Sequence, residues 1–313
     1  MRVDQFCMDA WTGRVDPEAD SARWHQRVQP LADASQPGLA LLGFACDEGV
    51  QRNHGRIGAA GGPVAIRKAL ANLAWHRDAP AYDAGDIACD DGDLEAAQTR
   101  LAYAVRALLD AGHQPLVLGG GHEVAYGSWS GLAGHLGKQP APRIGIINFD
   151  AHFDLRDPAH VRSSGTPFSQ IADQCVARDW PFRYACLGIS RASNTRALFT
   201  RAAELDVWVR EDRDISESTL EALGRELDAF ANDCDALYLT LDIDVLPACE
   251  APGVSAPAAR GVAISLLEPL LLRLKASGKV RLIDVAELNP LHDIDNRTAR
   301  AAARLIHVLT SSD

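Results

Sequence analysis

The 313-residue chain has no uninterrupted apolar run of the roughly 20 residues needed to span a bilayer, and its mean hydropathy is −0.10, so no membrane-spanning segment is expected. Its opening, MRVDQFCMDAW, carries charge early and has no apolar stretch of the secretory kind, so no signal peptide is expected. The seven cysteines (Cys7, Cys46, Cys89, Cys175, Cys186, Cys234 and Cys249) are odd in number, scattered and without a C-x-x-C pair. That argues against a disulfide framework or structural zinc and fits a reducing, cytoplasmic setting. Positive charge is also short: 31 Lys+Arg against 42 Asp+Glu leaves a net charge of −11, which speaks against nucleic acid or an anionic membrane as partner. No linker, repeat or low-complexity tract interrupts the chain, so a single domain over residues 1–313 is expected.

Strands and helices alternate throughout. Apolar runs at 39–45, 115–120, 143–151, 183–190, 206–210, 236–246 and 280–288 read as strands. Helical stretches lie between them: from Pro63 to about 75, 94–112, the segment after Gly121, 166–175, 193–205 with Ser193 as N-cap, 218–230, 264–276 and 297–310. Residues 1–36 read as a polar lead-in with one short helix. Strands that are continuously apolar predict a parallel sheet covered on both faces, a three-layer α/β/α arrangement. Such a sheet places its site at the carboxyl ends of its strands.

Two apolar runs end in acid: RIGIINFDAHFD and ALYLTLDID. Alternation along a strand puts Asp150, His152 and Asp154 on one side of one strand end, and Asp242 with Asp244 on one side of another. Such a cluster repels itself unless cations sit within it. Four aspartates match the charge of two divalent ions, and hard oxygens with imidazoles favour Mn²⁺ over Zn²⁺ or Fe²⁺. The segment Gly119-Gly120-Gly121-His122-Glu123 turns out of a strand and places His122 at its end; no GK[ST] follows, and no G-x-G-x-x-G frame fits, so a phosphate loop is disfavoured. Glu287, in DVAELNP, reads equally well as a site residue or a satisfied strand-end carboxylate. No serine or cysteine sits in a nucleophile context.

The blocks GGGHE, NFDAHFD, SSGTPF, LDIDVLP, APGVSAP and AELNP, spanning residues 119–290, resemble the ureohydrolase superfamily of arginases, agmatinases and formimidoylglutamases. The resemblance implies an arginase-like α/β domain with an eight-stranded, mainly parallel sheet and two Mn²⁺ ions per subunit. It implies hydrolysis of a C–N bond in an amidine or guanidine by a hydroxide bridging the ions, and a homo-oligomer. The family's ligands fall on His122, Asp150, His152, Asp154, Asp242 and Asp244. Asp150 and Asp242 take the bridging places; His122 and Asp154 complete one ion's shell, His152 and Asp244 the other's. Glu287 takes the place of the acid that pairs with the cationic amidine. Separately from the resemblance, loss of a cationic amine requires protonation, for which Asp154 is a candidate.

Where arginases and agmatinases carry a histidine before the glycine of H-G-x-P, this chain has Ser164. The S-S-G-T-P-F form, together with the blocks at 47–59, 188–195 and 251–257, resembles formimidoylglutamases. Their substrate, N-formimidoyl-L-glutamate, carries an amidine and two carboxylates and yields L-glutamate and formamide in histidine degradation. Arg156, where arginase has asparagine, suits a carboxylate. Arg191 and Asn194 are further candidates for that end, with Arg52 and Arg56 weaker. The alternatives are an agmatinase, a guanidino-acid hydrolase or an arginase, or a metal-binding homologue without activity.

Overall fold

The computed structural model describes residues 8–137 and 141–312. The first seven residues of the lead-in, with Cys7, lie outside the described residues. Among the described residues nine strands form one sheet: β1 (Gln29–Pro30), β2 (Leu39–Ala45), β3 (Ala81–Ala88), β4 (Gln114–Leu118), β5 (Ile144–Phe149), β6 (Arg183–Ile189), β7 (Trp208–Glu211), β8 (Ala236–Asp242) and β9 (Val280–Ala286). Their spatial order is β1-β3-β2-β4-β9-β8-β5-β6-β7, with every neighbouring pair parallel. β4, β9, β8 and β5 are therefore side by side at the centre, although up to 168 residues of chain separate their carboxyl ends.

Ten helices accompany the sheet among the described residues: α1 (Trp24–Arg27), α2 (Glu48–Arg52), α3 (Gly62–Ala71), α4 (Leu94–Asp110), α5 (Val124–Leu136), α6 (Pro167–Arg178), α7 (Arg196–Glu204), α8 (Leu220–Asn232), α9 (Ile264–Ala276) and α10 (Arg297–Thr310). Alternation along the buried strands divides the core in two. Leu39, Leu41, Leu239 and Leu241 meet Ile66 of α3, Leu227 of α8, Leu270 of α9 and Ile306 of α10. Ala40, Leu42, Ile146 and Tyr238 meet Leu101 of α4, Trp129 of α5 and Ile171 of α6. Burial of both faces is the reason these strands read as apolar runs.

The arginase-like α/β fold is as expected, with nine strands in place of eight. β1 is a two-residue edge, and β3, AYDAGDIA, is broken in sequence by two aspartates and a glycine. Buried Arg67 of α3 neutralises those aspartates, pairing with Asp83 at 2.8 Å and Asp86 at 2.6 Å. α7 begins at Arg196 after Thr195, whereas Ser193 lies in the preceding turn with its hydroxyl on Ser190. The strand expected over 143–151 stops at Phe149, and the one over 236–246 stops at Asp242, where a 3₁₀ turn (Ile243–Val245) begins.

Candidate metal centre

Because those strands stop early, strand alternation is not what gathers the acids. Asp150 Oδ1 accepts the backbone N–H of His152 at 2.6 Å, and Asp242 Oδ1 accepts that of Asp244 at 2.8 Å. Each D-x-H or D-x-D thus closes a side-chain turn just past a strand tip. Asp154 reaches back by adopting positive φ (+49°). His122 arrives from the glycine segment after β4. Gly120 is required there by close approach: a Cβ at that position would stand 1.7 Å from the carbonyl oxygen of Cys46.

Two groups of ligand atoms result, each within 4.8 Å of one another: His122, Asp150, Asp154 and Asp242, then Asp150, His152 and Asp244. Asp150 belongs to both; Asp242, given a bridging place by the resemblance, falls in the first alone. His122 Nδ1 lies 3.1, 3.0 and 3.2 Å from carboxylate oxygens of Asp150, Asp154 and Asp242, yet is buried without a hydrogen-bond partner. Adjacent ligands of a six-coordinate ion with bonds of about 2.1 Å stand about 3 Å apart. Donors spaced this way around a common point, without hydrogen-bond alignment, fit a divalent cation. In the second group His152 Nδ1 is 2.9 Å from Asp244 Oδ2.

The electrostatics agree. Burial pulls both imidazoles down, but the surrounding carboxylates outweigh it and hold His122 and His152 well above the ordinary histidine range. Burial, then Asp150, raises Asp154; burial, then Asp244 and Asp150, raises Asp242. The cluster lacks positive charge.

Glu287 follows β9 with φ of +68° and is buried. Its Oε1 accepts the His122 backbone N–H at 2.9 Å, while Oε2 has no partner. Burial, with Glu123 nearby, pushes its carboxyl up to about 8. Glu123 is a clamp that sequence reading missed: its Oε1 accepts the Gly49 N–H at 2.9 Å, tying the glycine segment to α2.

These groups open into a cleft of about 320 Å³ lined by His152, Asp154, Asp242, Asp244 and Glu287 on one side and Arg156, Ser164 and Asn194 on the other. Hollows of about 680 and 580 Å³ lie elsewhere, the larger at the amino ends of β4 and β9, but neither holds convergent acids. Chemistry singles out the smaller one. Arg156 lines the cleft with its guanidinium unpaired among the described residues. Arg191 does not line it; both Glu211 oxygens hold its Nε at 3.0 Å, and its guanidinium lies over Phe199. Asn194 reaches the lining, yet its amide is used by backbone, accepting from Phe153 and donating to Ala151 and Ser190. Ser164 is buried, its N–H on the Gly49 carbonyl. Arg52 pairs with Glu48 and Glu95, and Arg56 ties its loop to the carbonyls of Val254 and Ser255. His54 and Asn53 line the rim beside Arg156, and only the fold brings them there.

Compared with known proteins, residues 37–311 match the family model described as the arginase family. The chain belongs to the arginase family. It is therefore a hydrolase of C–N bonds in linear amidines. It is 60% identical over 315 residues to the formimidoylglutamase of Aeromonas salmonicida (strain A449), covering 98% of this chain and 100% of that protein. It is 56% identical over 304 residues to the formimidoylglutamase of Ralstonia nicotianae (strain ATCC BAA-1114 / GMI1000), covering 95% and 93%. Among solved structures it resembles formimidoylglutamase from Bacillus subtilis subsp. subtilis str. 168, with TM-score 0.84 and 25% identity over 95% of this chain and 94% of that one. It also resembles Trypanosoma cruzi formiminoglutamase with Mn²⁺, with TM-score 0.79 and 26% identity over 89% and 95%. The family resemblance read from the motifs is borne out.

Proposed function

We propose that this arginase-family chain hydrolyses N-formimidoyl-L-glutamate to L-glutamate and formamide, as a step of histidine degradation, with two Mn²⁺ ions per subunit held by His122, Asp150, His152, Asp154, Asp242 and Asp244. One observation carries the reading: an unpaired arginine, Arg156, faces a cluster of acids across a cleft sized for a small molecule. A substrate cationic at one end and doubly anionic at the other matches that polarity. The names of the 60% and 56% identical relatives support the same substrate.

When bound, the ion pair supplies the nucleophile, as a metal lowers the pKa of water from about 15.7 to about 7. The chain's own residues do the rest. Glu287 Oε2, buried and unpartnered, receives an N–H of the amidine cation and fixes the carbon undergoing attack. Arg156 holds a carboxylate at the opposite wall, and the Ser164 hydroxyl orients polar groups between them. Asp154, raised by burial and by Asp150, carries a proton to the departing amine nitrogen of glutamate. With this goes a single-domain, cytoplasmic homo-oligomer acting on a small molecule. The six cysteines among the described residues are free, and no described helix is long and apolar enough to cross a membrane.

The test is formamide release from N-formimidoyl-L-glutamate by Mn²⁺-loaded protein, beside urea release from arginine and agmatine. Turnover of the first is expected to dominate. Activity on agmatine alone removes the carboxylate argument, and inertness towards every amidine favours a non-enzymatic homologue.

A further inference from the structure

The substrate proposed above carries two carboxylates, and the cleft offers one unpaired arginine to meet them. Arg191 is held by Glu211, and Arg52 by Glu48 and Glu95. Arg56 gives its Nε to the Ser255 carbonyl at 2.9 Å and its Nη2 to that of Val254. Among the neutral groups of the lining, the Asn194 amide serves backbone and the Ser193 hydroxyl donates to Ser190 Oγ at 3.2 Å. Asn53 and His54 differ: both line the cleft, and neither side chain has a partner among the described residues. They follow α2, whose buried first turn is tied at Gly49 to Glu123, the neighbour of His122. Asn53 is half-buried and His54 exposed, so this single turn of helix climbs from the floor of the cleft to its mouth. A Cβ at Gly165 would stand 3.2 Å from Asn53 Oδ1 and 3.0 Å from Arg156 Nε, which makes amide and guanidinium neighbours over one glycine. His54 has a φ of +59°, uncommon for a residue with a side chain. The loop around it is pinned. Gly55 N–H donates to the Val50 carbonyl at 2.9 Å, Arg56 N–H to Ser255 Oγ at 2.8 Å, and Asn289 Nδ2 to the carbonyls of Arg56 and Ile57 at 2.9 and 3.0 Å.

The two carboxylates of N-formimidoyl-L-glutamate differ in their distance from the carbon under attack. The α-carboxylate is three bonds from it, on the carbon that bears the leaving nitrogen; the γ-carboxylate is five bonds away. Arg156 follows Asp154, the proton carrier to that nitrogen, by two residues, and so suits the α-carboxylate. We propose that Asn53 and His54 form a second anion subsite that takes the γ-carboxylate, and so set the preference of this chain for a dicarboxylic amidine. Asn53 has an amide NH₂ to donate, and an imidazole has at least one ring N–H in either protonation state. Arg56, though its N–H groups hold carbonyls, lines the same wall and leaves a positive charge beside them. A pinned loop loses little freedom when the anion arrives, so ordering offsets little of the binding. The inference rests on the proposed function and deepens it.

The experiment compares kcat/KM of the full-length, Mn²⁺-loaded protein on three amidines. These are N-formimidoyl-L-glutamate; N-formimidoyl-L-glutamine, which keeps the shape but lacks the γ charge; and N-formimidoyl-4-aminobutyrate, which lacks the α-carboxylate. Wild type should favour the glutamate compound over the glutamine one by about 10–100-fold. Asn53→Asp, close in shape but repelling an anion, should erase that preference. His54→Asn, which tolerates the left-handed backbone, should shrink it about tenfold. Both variants should keep the preference for the glutamate compound over the aminobutyrate one, which Arg156→Ala should lose instead. Metal content by elemental analysis should match wild type throughout. Equal slowing on all three amidines, the result of a merely structural loop, overturns the assignment, as does loss of the α-carboxylate preference in the Asn53 or His54 variant. A wild type that hydrolyses these amidines without preferring the γ-carboxylate overturns the subsite and leaves the hydrolase reading standing, whereas a wild type inert on all three removes the proposed function itself. Should Asn53→Asp fail to fold, His54→Asn decides: an undiminished γ-carboxylate preference there overturns the assignment.

Discussion

The protein buries two acidic clusters, and they differ in what neutralises them. Under β3, Arg67 meets Asp83 through Nε at 2.8 Å and through Nη2 at 3.0 Å, and meets Asp86 through Nη1 at 2.6 Å. Trp11 adds its indole N–H to Asp83 at 2.6 Å. At the tips of β4, β5, β8 and β9, four aspartates and Glu287 face only two imidazoles, and His122 Nδ1 and Glu287 Oε2 have no hydrogen-bond partners. Both clusters are buried, so burial alone marks neither as a site. The first satisfies both carboxylates with Arg67 hydrogen bonds from within the chain and is architecture. The second does not, and an unbalanced buried cluster calls for a cation from outside the chain.

Substitutions in the two clusters should therefore fail in different ways. Asp150→Ala removes the ligand common to both groups and is expected to abolish metal uptake and amidine hydrolysis together, measured by elemental analysis and formamide release. A variant that keeps both ions would break the comparison. Arg67→Ala strands two buried aspartates and is expected to cost about 3–5 kcal/mol in urea unfolding, with unchanged metal content per folded chain. Glu287→Gln preserves shape and the contact to His122 N–H but not the charge. Its kcat/KM should fall about 100-fold with both ions retained, whereas a merely structural Glu287 would leave turnover intact.

Acidity offers a gentler probe. With both imidazoles held above their ordinary range by the aspartates, protons compete with metal, so ion binding releases protons. Mn²⁺ affinity should rise with pH near neutrality, about tenfold per unit for each proton displaced. Affinity flat between pH 6 and 8 would mean the carboxylates do not act on these rings. The smallest effect expected is that of Arg156→Ala, which should raise KM for the dicarboxylate substrate about tenfold and leave metal content alone. Metal loss in that variant would merge the two functions assigned to opposite walls of the cleft.

Much of this was legible from local patterns. Continuous apolar runs announced a parallel sheet, and D-x-H-x-D and D-x-D at their ends announced a cation site, because both patterns act over a few residues. β3 was not legible: Asp83 and Asp86 interrupt its apolar character, and the arginine that neutralises them lies in α3. Strand pleat was the wrong reason for the gathering of acids, since the candidate ligands lie in turns closed by Asp150 and Asp242. Arg156 and Arg191 looked alike as carboxylate ligands until Glu211, twenty residues from Arg191, proved to occupy the latter.

By itself, then, the chain's order of residues determined the type of sheet, the acids and imidazoles at its strand tips, and the family motifs, because hydrophobic period and turn chemistry are short-range properties. Only the tertiary structure decided that Asp242 falls in one ligand group alone, that Arg156, unlike Arg191, is unpaired among the described residues, and that Asn148, Thr240 and Asp284 form one row beneath them. Those outcomes depend on which strands lie side by side, and β5, β8 and β9 become neighbours across stretches of chain whose own patterns carry no record of that pairing.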